Sequence, residues 1–218
     1  MMSKLKEKFD QNPILFLIIA FAIYSVWFFI LDNYPRSHYT IIHCAIDDLI
    51  PFSTLAVYPY ISWFPLLVCP MWLFYWHHNK KDLWNLAVPV LMAMFTSLII
   101  YMFWPNGLDI RPASIEGNTL SAWIARFIES SDTPNNVCPS IHVSTTLLAD
   151  WSLQHSDNFK HRTRKQRVML HALCISICIG VMVIKQHSFI DVVCGAAHAL
   201  LIGILFTRCG WTYQALQS

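Results

Sequence analysis

The chain of 218 residues is 56% apolar and only 13% charged, against about 25% charged in an ordinary soluble domain. With nine Trp, six Gly and a mean hydropathy of +0.44, it is excluded from the solvated globular, collagenous, disordered and disulfide-rich classes and placed in a bilayer. A net charge of +2 is too small to suggest a nucleic-acid partner.

A spanning helix needs about 20 predominantly apolar residues. Six segments come near that length, which predicts an all-α, six-helix integral membrane bundle made by one domain over residues 1–218. The first span, about 14–31, carries Trp27, Phe28 and Phe29 where a cleavage site needs small residues, so it reads as a signal-anchor. The second, about 51–76, contains Pro59, Pro65 and Pro70 and is predicted to kink or break. The third, about 83–104, is uncharged. In the loop from Pro105 to Cys138, Leu120, Trp123, Ile124, Phe127 and Ile128 recur at the spacing of an amphipathic helix. That helix suits the surface of the outer leaflet and a cap on the bundle equally well. Spans four, about 139–153, and six, about 188–207, each hold one carboxylate, Asp150 and Asp191, beside histidines, whereas span five, about 168–184, is uncharged. Five of the seven Cys lie in or at the ends of apolar runs, where a thiol acts as a small hydrophobe. Cys44 and Cys138 lie outside them and could pair, although the sequence supplies no distance.

Orientation follows from Lys and Arg in the loops. With the N-terminus inside, the cytoplasmic side holds eleven (Lys4, Lys6, Lys8, Lys80, Lys81, Lys160, Arg162, Arg164, Lys165, Arg167 and Arg208) and the outside four (Arg36, Arg111, Arg126 and Lys185). Both termini are therefore expected in the cytoplasm and the 105–138 loop outside.

Ionisable groups at span depth cost roughly 2.5–3.5 kcal/mol on insertion scales, so each is a functional hypothesis. His187 and Asp191 are one helical turn apart, and Gly195, Ala199 and Gly203 continue the same stripe with small residues that let helices approach closely. A carboxylate behind one ring nitrogen raises the basicity of the other, as a histidine nucleophile or base requires. The plainer reading is a buried His/Asp pair that only joins two helices. Pro139-Ser140-Ile141-His142 opens the fourth span on the same side, with proline expected in the first helical turn and the N–H groups around Ser140 and Ile141 forming an anion site that His142 faces. Arg111-Pro112, just outside the third span, offers a planar fork suited to phosphate oxygens.

These elements, in this order and on one side of the membrane, resemble the type 2 phosphatidic acid phosphatase superfamily, which shares its active site with vanadium haloperoxidases. The family pattern is Lys-x6-Arg-Pro, then Pro-Ser-Gly-His, then Ser-Arg-x5-His-x3-Asp. Here Arg111-Pro112 match the first motif with Trp104 in the lysine position, and Ile141 replaces glycine in the second. The third keeps His187 and Asp191, with Gly180 and Val181 in the Ser-Arg positions. Six spans with motifs after the third, fourth and fifth fit the same family. Pro-Ser-Ile-His together with Lys185-Gln186-His187 is closer to the branch that resembles sphingomyelin and inositol-phosphorylceramide synthases.

The resemblance implies a phosphohistidine mechanism without metal or cofactor. His187, held by Asp191, would attack phosphorus and His142 would protonate the departing lipid oxygen. Arg111, Lys185, Ser140 and the N–H groups at Ser140 and Ile141 would hold the phosphoryl oxygens, with Lys185 standing in for two family cations that are missing. The expected activity is a lipid phosphate phosphatase on the outer face, acting on a phosphatidic acid, phosphatidylglycerol phosphate or polyprenyl (di)phosphate, with membrane lipids as its other partners. The alternative is a lipid phosphotransferase, for which Asp47, Asp48, Asp109, Glu116, Asn118 and Asn136 are the outer polar residues available to hold an acceptor hydroxyl. A carrier path along His142, His187, Asp191 and His198, and a metal held by His142, His187 and Asp191, rank below both. His198, Asp150 and His171 read as helix-packing groups.

Overall fold

The computed structural model describes residues 12–36, 38–159 and 161–209, and the regular structure among them is helical apart from one pair of two-residue strands. Lys4, Lys6, Lys8, Lys160 and both chain ends, on which part of the orientation reading rests, lie outside the described residues.

Helix α1, Pro13–Asn33, opens with a proline whose missing N–H would have been unsatisfied in any case. Strand β1 (Thr40–Ile41) and the short α2 (Ala45–Leu49) follow. The second expected span is broken, as its prolines predict. A 3₁₀ turn at Thr54–Ala56 leads into α3 (Val57–Ile61), and α4 (Trp63–Trp76) starts after Ser62. Pro65 has no N–H to give to Ile61, and the Ser62 hydroxyl donates to the Tyr58 carbonyl at 2.7 Å. Then come α5 (Lys80–Phe103), β2 (Asn106–Gly107), α6 (Leu120–Ser131), α7 (Ile141–His155), α8 (Arg164–Val183) and α9 (Phe189–Arg208).

Among the described residues, five helical segments are long and apolar enough to cross a membrane: Pro13–Asn33, Thr54–Trp76, Lys80–Phe103, Arg164–Val183 and Phe189–Arg208. The fourth expected span is not among them. Its helix, α7, has only 15 residues, about 22 Å of rise. The physical reason is its position, since α7 packs against α5, α8 and α9 and buries Ser144, Thr145, Thr146, Leu148, Ala149 and Leu153. A helix enclosed by other helices needs neither lipid-matched length nor a uniformly apolar surface.

The core forms where Leu86, Val90, Ala93 and Leu98 of α5 meet Leu148 and Ala149 of α7, Ile177 of α8, and Ala199 and Ile202 of α9. Phe16 packs on Trp84 and Trp27 on Phe95, with ring centroids 5.4 and 6.3 Å apart, so α1 and α5 run parallel. On the side of α1 away from the bundle, Leu15, Ile18 and Phe29 are exposed. Chain direction brings the end of α5 and the starts of α7 and α9 to one end of the bundle. There the strands pair in parallel, Thr40 with Asn106 and Ile41 with Gly107. The amphipathic helix is α6, with Ala122 and Ala125 buried and Leu120, Trp123 and Phe127 exposed. Cys44 and Cys138 are both free thiols.

Candidate active site

Two helix starts and one helix end build the site. Helix α8 ends in a Schellman motif: Lys185 has φ of 59°, its N–H reaches the Met182 carbonyl at 3.0 Å, and the Gln186 N–H reaches Val181 at 3.0 Å. Three residues later Ser188 caps α9, its hydroxyl accepting from the Ile190 N–H at 3.2 Å. Asp191 completes a capping box, accepting from the Ser188 N–H at 2.8 Å. His187 is therefore held in a turn pinned at both ends.

At α7 the N-cap is Ser140, whose hydroxyl accepts from the Val143 N–H at 3.3 Å. Pro139 thus precedes the cap and is not in the first helical turn. The Ser140 N–H donates to the Asp191 carbonyl at 3.2 Å, stitching the two helix starts together. Gly195 permits this approach, because a Cβ there would lie 2.8 Å from the Ser140 carbonyl oxygen.

The result is a pair of facing imidazoles. His187 Nε2 lies 3.4 Å from His142 Nδ1. On the other side of the ring, His187 Nδ1 lies 3.6 Å from Asp191 Oδ2, ion-pair range but longer than a hydrogen bond. Two aromatic rings hold His142, those of Tyr60 and Trp63, with centroids 4.7 and 4.6 Å away. Trp63 is itself fixed by donating to the Thr145 hydroxyl at 2.8 Å.

Both histidines line a cavity of about 450 Å³. Its apolar wall comes from Phe21, Tyr24 and Phe28 of α1, Trp63 and Phe64 of α4, and Ile124, Phe127 and Ile128 of α6. Its polar end holds Asp132, Asn135, Asn136 and Gln186 as well as the histidines. Burial pushes the Asp132 carboxyl up to about 6, against the opposing pull of Arg111.

The sequence-predicted residues divide in two. His142, His187 and Ile141 are on the cavity wall, with Asp191 directly behind His187. Arg111, Ser140 and Lys185 are nearby but engaged elsewhere. Arg111 donates to the carbonyls of Asp132 at 2.6 Å and Thr133 at 3.1 Å, and to the Gln186 side-chain oxygen at 2.7 Å. Ser140 is fully buried, with its hydroxyl and N–H spent on Val143 and Asp191. The Lys185 ammonium donates to the Asp47 carbonyl at 2.6 Å.

Asp47, read from the sequence only as an acceptor-site polar, is a clamp on the histidine turn. Its carboxylate accepts from the Ser188 hydroxyl at 2.6 Å and from the N–H groups of Phe189 at 2.7 Å and Cys44 at 2.9 Å. Burial alone would raise its carboxyl, yet these bonds hold it below the usual carboxylate range. Tyr60, Trp63 and Asn106 also went unseen in the sequence, and Gln186 was read only as part of the Lys185-Gln186-His187 variant. The deeper polar residues pair with one another, His198 with Thr96 at 2.8 Å and His171 with Asp150 at 2.6 Å. Among the described residues no three His, Cys, Asp or Glu side chains gather as a metal-holding group. No family model matches the chain, and neither a curated protein nor a solved structure matches it.

Proposed function

We propose that the chain is an integral membrane lipid phosphate phosphatase of the type 2 phosphatidic acid phosphatase kind, acting through a phosphohistidine. The observation that carries this reading is the facing pair His142 and His187, 3.4 Å apart, at the polar end of a cavity whose remaining wall is aromatic and aliphatic. Such a cavity takes an amphiphile, head toward the imidazoles and chain along α1, α4 and α6. In the first step His187 Nε2 forms a bond to phosphorus while the bond to the lipid oxygen breaks, and protonated His142 gives that oxygen its proton. In the second, His142 takes a proton from water as the water oxygen attacks phosphorus, and the His187 bond breaks to release phosphate. Asp191 faces Nδ1 and favours the tautomer that leaves Nε2 free.

The fourth span of this reading is α7, inside the bundle, and the site opens on the outer face. Arg162, Arg164, Lys165, Arg167 and Arg208 sit at the opposite end, as the positive-inside rule asks of a cytoplasmic face.

Transfer to an alcohol is the second reading, and one feature favours it. A neighbouring cavity of about 610 Å³ shares Tyr24, Phe28, Ser131 and Asp132 with the first and is lined by Asp32 and Glu129. Its carboxylates could accept hydrogen bonds from an acceptor's hydroxyls. The deciding experiment incubates purified protein with a panel of lipid phosphates and phospholipids, with and without inositol or ceramide. Free phosphate supports hydrolysis, a new phospholipid without free phosphate supports transfer, and neither product from any donor overturns both.

A further inference from the structure

The cations expected to bind phosphate near the histidines are absent from the cavity wall: Arg111 donates to two carbonyls and an amide, with its Nε unpartnered, and Lys185 donates to the Asp47 carbonyl. Two neutral amides are on that wall instead. Asn136 is 4% and Gln186 2% exposed, both line the cavity with His142 and His187, and neither amide nitrogen has a hydrogen-bond partner, nor has the Asn136 side-chain oxygen. An unsatisfied buried amide costs about 1–3 kcal/mol, so two of them in one cavity call for an explanation.

Neither is a loose side chain. The Asn136 backbone has φ of 55°, the left-handed conformation that Asn tolerates better than most residues. It is locked there by Asn106, whose carbonyl accepts from the Asn136 N–H at 2.7 Å and whose side-chain oxygen accepts from the N–H groups of Val137 and Cys138 at 2.8 Å each. Asn106 also donates to the Cys138 carbonyl at 2.9 Å. Gln186 is oriented by Arg111, which takes its oxygen and so turns the amide nitrogen away from the guanidinium. The cation polarises that amide and makes its N–H groups stronger donors.

We infer that Asn136 and Gln186 form the phosphoryl-binding site of this cavity, donating from their amide nitrogens to the oxygens of a lipid-borne or free phosphoryl group beside His187. Arg111 acts through Gln186 and not by direct contact. This rests on the phosphohistidine reading and adds to it the groups that hold the anion.

The probe is orthovanadate, titrated calorimetrically into the full-length chain in detergent. Asn136→Gly keeps the left-handed backbone and removes the amide. Gln186→Glu keeps the acceptor for Arg111 and replaces the donor with a carboxylate oxygen. Each should raise the vanadate Kd at least about tenfold, ~1.4 kcal/mol, with the melting temperature not lowered and diacylglycerol binding unchanged. A second arm competes vanadate with inorganic phosphate and with a short-chain phosphatidic acid, to tell a free anion from a lipid headgroup. Unchanged vanadate affinity in both variants would overturn the assignment and leave the histidine reading standing. No vanadate binding by the wild-type chain would overturn the anion site together with that reading.

Discussion

The contact between α7 and α9 is set by the absence of one methyl group, and Gly195→Ala tests it. A Cβ at this position would sit 2.8 Å from the Ser140 carbonyl oxygen and 3.1 Å from Val143 Cβ. The first is backbone of the helix that carries His142, so it cannot rotate away. Reaching an ordinary 3.4 Å contact requires about 0.6 Å of separation between the helix starts. Overpacking of this kind costs about 1–3 kcal/mol, and replacing a helical Gly with Ala returns up to about 1 kcal/mol, for a net loss of about 0–3 kcal/mol. Turnover should suffer more, since a misplacement near 1 Å can cost on the order of a hundredfold and this one opens the His142–His187 pair. Gly203→Ala is the matched control on the same stripe. Its nearest neighbour would be Leu148 Cδ2 at 3.8 Å, so it should be neutral or more stable by up to about 1 kcal/mol. The assay is thermal unfolding in detergent alongside phosphate release from a lipid phosphate. Equal melting temperatures and equal turnover in the two variants would refute the close approach.

His187→Ala should remove phosphate release while the protein still expresses and melts cooperatively; more than a few per cent residual turnover would remove His187 from the nucleophile role. His142→Ala should slow a lipid phosphate more than an aryl phosphate, whose leaving group needs no proton. The Asp132 carboxyl, raised by burial to about 6 and lining the cavity, is neutral below that pH and negative above it. Affinity for an anionic lipid headgroup should therefore fall as pH rises through about 6, and Asp132→Asn should lose that part of the pH profile, so superimposable profiles would dismiss Asp132. For sidedness, Asp109→Cys in a chain with Cys44 and Cys138 replaced should be labelled by an impermeant thiol reagent from outside intact cells and Arg164→Cys should not; the reverse would place the site on the cytoplasmic face.

The legible features of this chain were those with a period or a spacing. Four uncharged runs and the run holding Asp191 predicted the five helices that, among the described residues, are long and apolar enough to span a membrane, while the sixth expected span, 139–153, is the shorter α7; three prolines predicted the break at Ser62. The i, i+3, i+4 pattern of Trp123, Ile124 and Phe127 predicted α6. The four-residue spacing of His187 and Asp191 predicted their pairing, but not as a helical turn, because His187 lies in the turn before the Ser188 cap of α9. What composition hid was occupancy. Arg111 and Lys185 are cations near a proposed anion site, yet sequence cannot tell that each is turned onto backbone carbonyls and away from the cavity wall. Nor does any spacing announce Trp63 and Tyr60, which reach His142 from a different helix pair. Asp47 acts across 141 positions of chain on Ser188. One missed signal was readable: Ser188-x-x-Asp191 is a capping-box pattern, and it gives Asp191 a structural duty beside its proposed chemical one.

That double duty bears on how the proposed anion site could work with no cation on its wall. Each histidine adjoins a helix cap: His142 is the second residue of α7 after Ser140, and His187 immediately precedes Ser188 at the start of α9. The positive end of the α7 dipole, worth roughly half an elementary charge, therefore lies beside His142, whereas the start of α9 is already met by the carboxylates of Asp47 and Asp191. Ser140 and Ser188 each satisfy one first-turn N–H with a hydroxyl. With an Arg111-polarised amide on Gln186 and a backbone-locked amide on Asn136, the cavity offers partial positive charge from several fixed dipoles in place of full charge from mobile side chains. Fixed dipoles need no reorganisation as negative charge develops on a transferring phosphoryl group. They are also far less costly to bury among aromatic rings than an unpaired ammonium. A cavity that must admit a lipid chain beside its reacting head therefore gains from amides where a solvent-exposed site would use lysine.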